Sequence, residues 1–322
     1  MLLMSAEPLS MDPEHLLKEE MQRGQLPQAL LIAGPYGVGK KTLARQLAKG
    51  IMCRGTAPMK PCGICKNCRR FDRMQLPDFL IPEKKRDTKN IIIDSIRSIL
   101  DALSSHPLEH GRRVVLIENA ELLTPQAQNA LLKSIEEPDD STYFLFTADS
   151  LRAILPTIRS RCRIARIAPW PKERLLSALE EHGIPYDHRS RLVPLCSGSI
   201  GRALDMEADP HFWERAETVE KTFFSVQKSS DIPAALRILR EKKDDAAELL
   251  NIFEMEVELL LRTGADSLPS AVPSNWADAD AESLKRILNG IFEARMYRAS
   301  NVVWIGAAEK LLQIITEETA LW

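Results

Sequence analysis

The stretch that decides the fold is ALLIAGPYGVGKKT, residues 29–42. Its first five residues are apolar and predict a buried strand, which leads into a glycine-rich loop and a helix that starts near Lys40. Glycines in such a loop let backbone N–H groups point at phosphate oxygens beside the N-terminus of the helix. The alternative is a glycine turn without a ligand, but the order of strand, loop and helix favours a phosphate-binding loop (P-loop) made of Gly34, Gly37, Gly39 and Lys40.

The residue after the lysine departs from the usual pattern. A P-loop normally places Ser or Thr there, because the hydroxyl binds Mg²⁺. Lys41 holds that position here, and Thr42 follows one residue later, which is about 100° further around the helix. We therefore expect the loop to bind ATP or ADP, while Lys41 and Thr42 leave Mg²⁺ without its usual hydroxyl ligand.

Further apolar runs alternate with helical patterns in the first half of the chain. Strands followed by helices predict a parallel sheet with helices on both faces, an α/β fold. After Pro169 the strand-like pattern ends, and amphipathic helices dominate beyond Ala208. The sequence thus predicts an α/β domain at 1–168, a small helical domain at 169–207 and a longer helical domain at 208–322. The remaining predicted strands are 78–82, 113–117, 143–147 and 163–167.

The third predicted strand ends in Glu118-Asn119, where a nucleotide hydrolase needs an acidic pair. Glu118 occupies the metal-side position. Asn119 occupies the position of the general base, and an amide cannot accept a proton in that role. Glu121 is expected to be a solvated helix-cap residue, although it could be recruited as the base. Hydrolysis is therefore expected to be defective at two places, Lys41 and Asn119.

Four cysteines with the spacing C-x8-C-x2-C-x2-C follow the first helix of the α/β domain. Closely spaced thiols favour a structural zinc site, which prefers a closed shell of four thiolates. A redox C-x-x-C pair lacks its usual context, and an iron–sulfur cluster is the remaining alternative. The predicted ligands are Cys53, Cys62, Cys65 and Cys68, flanked by Lys60, Lys66, Arg69 and Arg70. Cys162 and Cys196 are expected to be ordinary buried thiols.

Two arginines are further candidates. Arg161 lies between two predicted strands, in Ser-Arg-Cys, where it could complete the nucleotide site of a neighbouring subunit as an arginine finger. A simple surface arginine is the alternative. Arg202 begins a helix in the predicted small domain and would either contact a phosphate or form an ion pair.

The bulk composition is that of a soluble globular protein. The 322 residues are 44% hydrophobic and 27% charged, with a formal net charge of −2. This charge disfavours a protein that coats DNA by itself. The N-terminal residues lack a basic start followed by an apolar run, so we expect no secretion signal and a cytoplasmic location, where thiols stay reduced.

Taken together, these motifs resemble the bacterial clamp-loader branch of the AAA+ family. The resemblance covers about residues 25–204 and includes the P-loop, the four cysteines, RRVVLIENAELLTPQAQNALLKSIEEP, TIRSRC and GSIGRAL. It implies an AAA+ domain with a zinc module, a helical lid and a helical collar that packs into a pentameric ring. It also implies gamma/tau and delta subunits as neighbours, and the loading of a sliding clamp onto primed DNA.

Lys41 and Asn119 depart from the motor subunits of that branch, which carry Lys-Thr or Lys-Ser in the P-loop and Asp-Glu on the acidic strand. The resemblance therefore implies a subunit that hydrolyses ATP weakly or not at all, with Arg161 acting on a neighbour's ATP. Two rival hypotheses stay open. One is a gamma/tau-like ATPase, and the other is a zinc-dependent nucleic-acid-binding module with a vestigial P-loop.

Overall fold

The computed structural model describes residues 12–56, 59–83, 90–109, 111–264, 274–299 and 304–322. The chain packs as two compact units, Met1–Trp170 and Pro171–Trp322. The first unit is α/β and the second is helical. The division that the sequence predicts at residue 207 stays a prediction.

The first unit is built on a five-stranded parallel sheet in the order β2-β3-β4-β1-β5. The strand that precedes the P-loop, β1, lies between β4 and β5, with Ala33 opposite Ala148 and Arg166. The carboxyl ends of β1, β3 and β4 therefore meet at one edge of the sheet, where ligands bind in open α/β folds. The strands are β1 (Ala29–Ala33), β2 (Phe79–Leu80), β3 (Arg113–Ile117), β4 (Thr142–Ala148) and β5 (Arg163–Arg166).

Helices cover both faces of this sheet, as the sequence predicts. Successive strand residues point to opposite faces, so Leu30 and Ile32 pack with the first two helices, while Ala29 and Leu31 pack with the fourth and fifth. The helices are α1 (Pro13–Arg23), α2 (Lys40–Met52), α3 (Lys66–Asp72), α4 (Ile93–Leu103), α5 (Pro125–Glu136) and α6 (Pro156–Arg159).

Local sequence sets the ends of several elements. The Thr124 hydroxyl accepts the Ala127 N–H at 3.3 Å and caps α5, whose first residue is Pro125. Strand β2 has two of the five residues predicted for it, Phe79 and Leu80. Beside it, the buried carboxylate of Asp78 accepts the N–H groups of Leu108 and Glu109 at 2.8 and 2.9 Å.

The second unit consists of helices around a core rich in aromatic residues, with Phe223, Phe224, Phe253 and Trp276 buried. Pro194 lies inside the last turn of its helix, and the Cys196 N–H beyond it still donates to the Leu192 carbonyl at 2.9 Å. The helices are α7 (Lys172–Glu181), α8 (Tyr186–Leu195), α9 (Ile200–Ala208), α10 (Phe212–Val219), α11 (Ile232–Glu241), α12 (Ala246–Thr263), α13 (Ala281–Ala299) and α14 (Trp304–Thr319), with a π-helical stretch at Glu220–Phe224.

The predicted fold class is confirmed: a parallel α/β sheet with helices is followed by an all-helical region. Within the described ranges, every helix is too short or too polar to cross a membrane.

Candidate functional site

The P-loop joins β1 to α2 at the carboxyl edge of the sheet. Gly37 and Gly39 have φ angles of 74° and 95°, a left-handed conformation that glycine adopts readily. Gly34 is needed for a different reason, since a Cβ atom there would lie 2.4 Å from the Ile167 carbonyl oxygen. The loop therefore has the backbone of a phosphate-binding turn.

Lys40 is held by groups of its own chain. Its ammonium lies 2.8 Å from Asp149 Oδ1 and donates to the Pro35 carbonyl at 2.5 Å. The side chain is only 5% exposed, whereas Asp149 is 36% exposed. The lysine that a P-loop uses to reach phosphates is thus already paired with a carboxylate.

Glu118 and Asn119 follow the end of β3, where a nucleotide hydrolase needs an acidic pair. Glu118 Oε1 accepts the Arg45 Nε–H at 2.7 Å, so the carboxylate at the metal-side position is neutralised by an arginine of α2. Asn119 has a φ of 56°, which asparagine tolerates better than most residues, and its N–H donates to Thr147 Oγ1 at 3.1 Å. Neither residue is arranged to hold a metal or to take a proton.

Glu121 is not the solvated cap residue that the sequence predicts. It is partly buried in the 3-10 turn Ala120–Leu122, and its Oε2 is buried without a hydrogen-bond partner among the described residues. Burial raises the pKa of its carboxyl, while the backbone N–H groups of Glu121 and Asp149 lower it by less; the charge of Asp149 raises it and that of Lys40 lowers it. The carboxyl therefore prefers its neutral form more than an exposed glutamate does.

Lys41 and Thr42 both lie exposed in the first turn of α2. The indole N–H of Trp170 donates to the Val38 carbonyl at 3.1 Å and holds the loop from the side. The nucleotide-binding roles predicted for Gly34, Gly37, Gly39, Lys40, Lys41 and Thr42 stay predictions.

The four predicted zinc ligands come together. The Sγ atoms of Cys53, Cys62, Cys65 and Cys68 lie within 4.8 Å of one another. A tetrahedral zinc with Zn–S bonds of about 2.3 Å places its sulfur ligands roughly 3.8 Å apart. The cluster is thus of the size that could hold a metal ion.

Backbone N–H groups converge on these sulfurs. Cys53 Sγ accepts the N–H groups of Gly55 and Cys62, and Cys62 Sγ accepts that of Cys65, each at 3.4 Å. A Cβ atom at Gly55 would lie 2.5 Å from Cys62 Sγ, so only glycine fits there without movement. N–H donors around a sulfur stabilise the thiolate, the form that binds metal.

The thiol pKa values follow from this environment. Burial opposes ionisation of Cys65, but the N–H groups of Cys68 and Arg54 outweigh it and lower the pKa to about 6. Burial raises the pKa of Cys68 to about 12. Of the flanking cations, Lys66 and Arg69 are exposed and Lys60 is partly exposed, while Arg70 pairs with Glu109.

Arg161 lies between α6 and β5 on the surface of the first unit. It forms an ion pair with Glu136 at the end of α5 and donates to the Thr157 carbonyl at 3.0 Å. Its side chain is 35% exposed. Cys162 beside it is buried, and burial raises its pKa to about 12, as expected for an ordinary core thiol.

Arg202 belongs to the second unit, in the first turn of α9, where its N–H is capped by Ser199 Oγ at 3.0 Å. Its predicted contact with a phosphate stays a prediction. Cys196 nearby is buried, which raises its pKa.

Sequence reasoning missed Asp149, Arg45 and Trp170. Each contacts the P-loop or the acidic strand from a distant position in the chain. A signal was present for Asp149, because it follows β4 directly, and the carboxyl end of β4 lies beside that of β1.

The parallel sheet, with a P-loop after β1 and an acidic residue after β3, defines an AAA+ P-loop domain. The solved structure of a DNA polymerase III gamma subunit-related protein from Thermotoga maritima matches the chain with a TM-score of 0.51 at 17% identity. The match covers 96% of this chain and 100% of the other, and it supports the fold.

Sequence comparison gives the family. The model described as "DNA polymerase III, delta subunit" matches residues 11–171. DNA polymerase III subunit delta' of Escherichia coli K12 is 32% identical over 228 residues, which are 70% of this chain and 67% of the relative. The delta' subunit of Pseudomonas aeruginosa is 34% identical, over 62% of this chain and 61% of the relative. The chain belongs to the delta-prime family of DNA polymerase III clamp-loader subunits.

The tau subunit of Escherichia coli K12 is also similar, at 31% identity over 60% of this chain and 31% of that protein. This chain is therefore related in sequence to both delta-prime and tau proteins. The residues at the catalytic positions distinguish the hypothesis of a delta-prime subunit from that of a gamma/tau-like ATPase.

Proposed function

We propose that the chain works as the delta-prime subunit of a clamp loader. In this role it joins gamma/tau and delta subunits in a pentameric ring that places a sliding clamp on primed DNA. The observation that supports the proposal is a P-loop domain that carries Lys41 and Asn119 at its catalytic positions and Arg161 on its surface.

The chain's own site is poorly suited to hydrolysis. Lys41 replaces the hydroxyl ligand of Mg²⁺, and Arg45 neutralises Glu118 at the metal-side position. Asn119 cannot act as the general base. Losing transition-state groups of this kind costs orders of magnitude in rate, so the subunit contributes structure and contacts rather than turnover.

Arg161 is proposed to act on the ATP of a neighbouring subunit. A guanidinium is always charged and can bind a γ-phosphate with two parallel hydrogen bonds. The ion pair with Glu136 and the bond to the Thr157 carbonyl hold the arginine on the short segment between α6 and β5. Supplied across a subunit boundary, such an arginine accelerates hydrolysis by ~10³ or more.

The cysteine cluster is proposed to hold one structural zinc ion. The donor set fits, since four sulfurs lie together and backbone N–H groups stabilise their thiolate forms. Zinc would supply a cross-link between the end of α2 and the start of α3. Thiols that bind metal must stay reduced, which favours a cytoplasmic protein.

The remaining roles are assigned by resemblance. We propose that Arg202 lies near a phosphate of bound ATP or ADP, and that residues 208–322 form the collar through which the subunit joins the ring.

Reconstitution tests the proposal. The chain is combined with gamma/tau and delta subunits, and DNA- and clamp-stimulated ATPase activity and clamp loading are measured. The variant is Arg161→Ala. The control is Arg97→Ala, which removes another exposed arginine that makes one ion pair, to Asp94 on α4.

Arg161→Ala should lower stimulated ATPase and clamp loading while zinc content and ring assembly stay intact, and Arg97→Ala should change neither activity. If both variants load clamps at the unmutated rate, Arg161 is a surface charge. Rapid ATP hydrolysis by the chain alone would instead favour the hypothesis of a gamma/tau-like ATPase. Tight DNA binding without partners would favour the hypothesis of a zinc-dependent nucleic-acid-binding module.

A further inference from the structure

The contact between Lys40 and Asp149 has a consequence for nucleotide binding. In a P-loop, the lysine reaches the terminal phosphates and neutralises their charge. Here the Asp149 carboxylate lies 2.8 Å from the lysine nitrogen, which is hydrogen-bond distance. Lys40 is 5% exposed and Asp149 is 36% exposed, so water reaches this ion pair from the carboxylate side only.

The fold fixes Asp149 at this place. It is the residue after β4, and the whole length of β1 pairs with β4, from Ala29–Phe144 to Ala33–Ala148. The first P-loop residue is tied to the same strand end, because the Gly34 N–H donates to the Ala148 carbonyl at 3.2 Å. The carboxylate and the loop therefore start from neighbouring points on one rigid edge.

Two other cations, Lys41 and Arg45, lie on α2 after the loop. Arg45 is engaged with Glu118, and Lys41 is exposed in the first turn of α2. Glu121 is close enough to Asp149 and Lys40 for both charges to act on its carboxyl. Asp149 and Glu121 are thus the two carboxyl groups that interact with the buried Lys40 ammonium at this edge of the sheet.

We propose that Asp149 acts as an internal substitute for a phosphate group and weakens the binding of nucleoside di- and triphosphates to the P-loop of this subunit. A nucleotide that reaches Lys40 must break the ion pair and leave the Asp149 carboxylate beside its own negative oxygens. Like charges a few ångströms apart repel strongly where water is scarce. Lys40 and Asp149 meanwhile stabilise the loop as an ordinary ion pair does.

This inference deepens the proposed function, on which it rests: a subunit that works without turnover needs a P-loop that keeps its shape without nucleotide. The experiment is nevertheless independent. It measures nucleotide binding by the full chain alone, so its failure leaves the role in clamp loading untouched.

The test uses Asp149→Asn, which keeps the size of the side chain, removes its charge and adds an amide donor for phosphate. ADP and ATP are titrated into each protein by calorimetry, with EDTA and, separately, with Mg²⁺. The charge-matched control is Asp140→Asn, an exposed aspartate in the turn before β4. The double variant Lys40→Ala/Asp149→Asn locates the binding.

Asp149→Asn should bind ADP and ATP at least about tenfold more tightly than the unmutated chain, which corresponds to about 1.4 kcal/mol. Asp140→Asn should bind as the unmutated chain does, and Lys40→Ala should abolish the gain. Should Asp149→Asn fail to fold, Asp149→Ser offers a smaller polar side chain, read out by the rise in thermal midpoint that nucleotide produces.

Three results would overturn the proposal. In the first, the unmutated chain binds nucleotide as tightly as Asp149→Asn. In the second, the gain in affinity survives Lys40→Ala, so that the nucleotide binds elsewhere. In the third, the unmutated chain gains affinity with Mg²⁺ and loses it on mutation of Asp149, which would make Asp149 a metal ligand.

Discussion

The P-loop and the cysteine cluster lie in the same unit, and they differ in what completes them. At the P-loop, the key lysine and the metal-side carboxylate are both paired with residues of the chain, Asp149 and Arg45. At the cluster, four sulfurs lie within 4.8 Å of one another and accept backbone N–H groups, and Cys62 Sγ lies 4.0 Å from Cys68 Sγ. The two sites therefore differ in their partners: charged side chains pair with the P-loop groups, whereas the sulfurs contact one another and backbone N–H groups.

Removing one thiol should give the largest effect on stability. Cys65→Ser removes a ligand that also caps α3, and structural zinc contributes about 10 kcal/mol or more of binding free energy in small metal-binding peptides. We expect loss of zinc and a clearly lower thermal midpoint of unfolding. Elemental analysis of protein purified without added metal, together with thermal unfolding, measures both.

Cys162→Ala is the matched control, since it removes a thiol outside the cluster and should leave the zinc content unchanged. Iron in the unmutated protein, or zinc retained at full occupancy by Cys65→Ser, would contradict the assignment.

The residues at the P-loop should also lower the rate of ATP hydrolysis. With Lys41 and Asn119 at the catalytic positions, the isolated chain should hydrolyse ATP about 10² or more times slower than a motor subunit, because each lost transition-state group costs heavily. A steady-state assay of the purified chain measures this. Turnover equal to that of a motor subunit, abolished by Lys40→Ala, would refute the prediction.

A buried carboxyl in the second unit differs from the paired groups at the P-loop, because it forms no ion pair among the described residues. Glu256 on α12 is 2% exposed, and its Oε2 has no hydrogen-bond partner among the described residues. Burial and the charge of Glu220 raise its pKa to about 8, while Arg191 on α8 acts in the opposite direction. The carboxyl is therefore mostly neutral in the folded protein at pH 7.

The sign of the pH effect follows from that shift. Between about pH 4.5 and pH 8 the unfolded chain releases this proton and the folded chain keeps it, so stability falls as pH rises. Keeping this proton costs up to about 1.4 kcal/mol of the free energy of unfolding for each pH unit above pH 4.5. Glu256→Gln should remove this cost, so it should raise the free energy of unfolding more at pH 8 than at pH 5. Denaturant unfolding at both pH values measures this, with exposed Glu258→Gln as control. Equal effects of Glu256→Gln at the two pH values would show that the carboxyl is ionised in the fold.

The smallest effect should come from the ion pair at the metal-side position. Arg45 is 52% exposed, and solvent screens such a pair, so Arg45→Ala should change the free energy of unfolding by less than about 1 kcal/mol. Chemical denaturation measures it, with Arg23→Ala on α1 as a comparable exposed arginine. A loss of several kcal/mol would mean that the pair is structural rather than a substitute for a metal.

Most of the fold could be predicted because its signals are local. Five apolar runs and the glycines of the P-loop mark the strands and the turn that follows β1, and Thr124-Pro125 marks the start of α5. The cysteine ligands were equally predictable, since three of them lie within seven residues of sequence, Cys62 to Cys68.

The ion pairs at the P-loop could not be read from the sequence in the same way. Asp149 and Lys40 are far apart in the chain and meet only because β4 lies beside β1 in the sheet. The burial of Glu121 likewise depends on how the turn after β3 packs, and no local pattern marks it. Such contacts depend on the order of the strands in the sheet, which no local sequence pattern gives.

Trp170 is a natural fluorescence reporter for the first unit. It is the only tryptophan in residues 1–170, and its indole N–H donates to the Val38 carbonyl of the P-loop. Indole emission depends on hydrogen bonding and on the polarity around the ring, so a change in the loop alters the fluorescence of this one residue. With the four tryptophans of the second unit replaced by phenylalanine, the emission spectrum of the chain becomes a direct optical record of its P-loop.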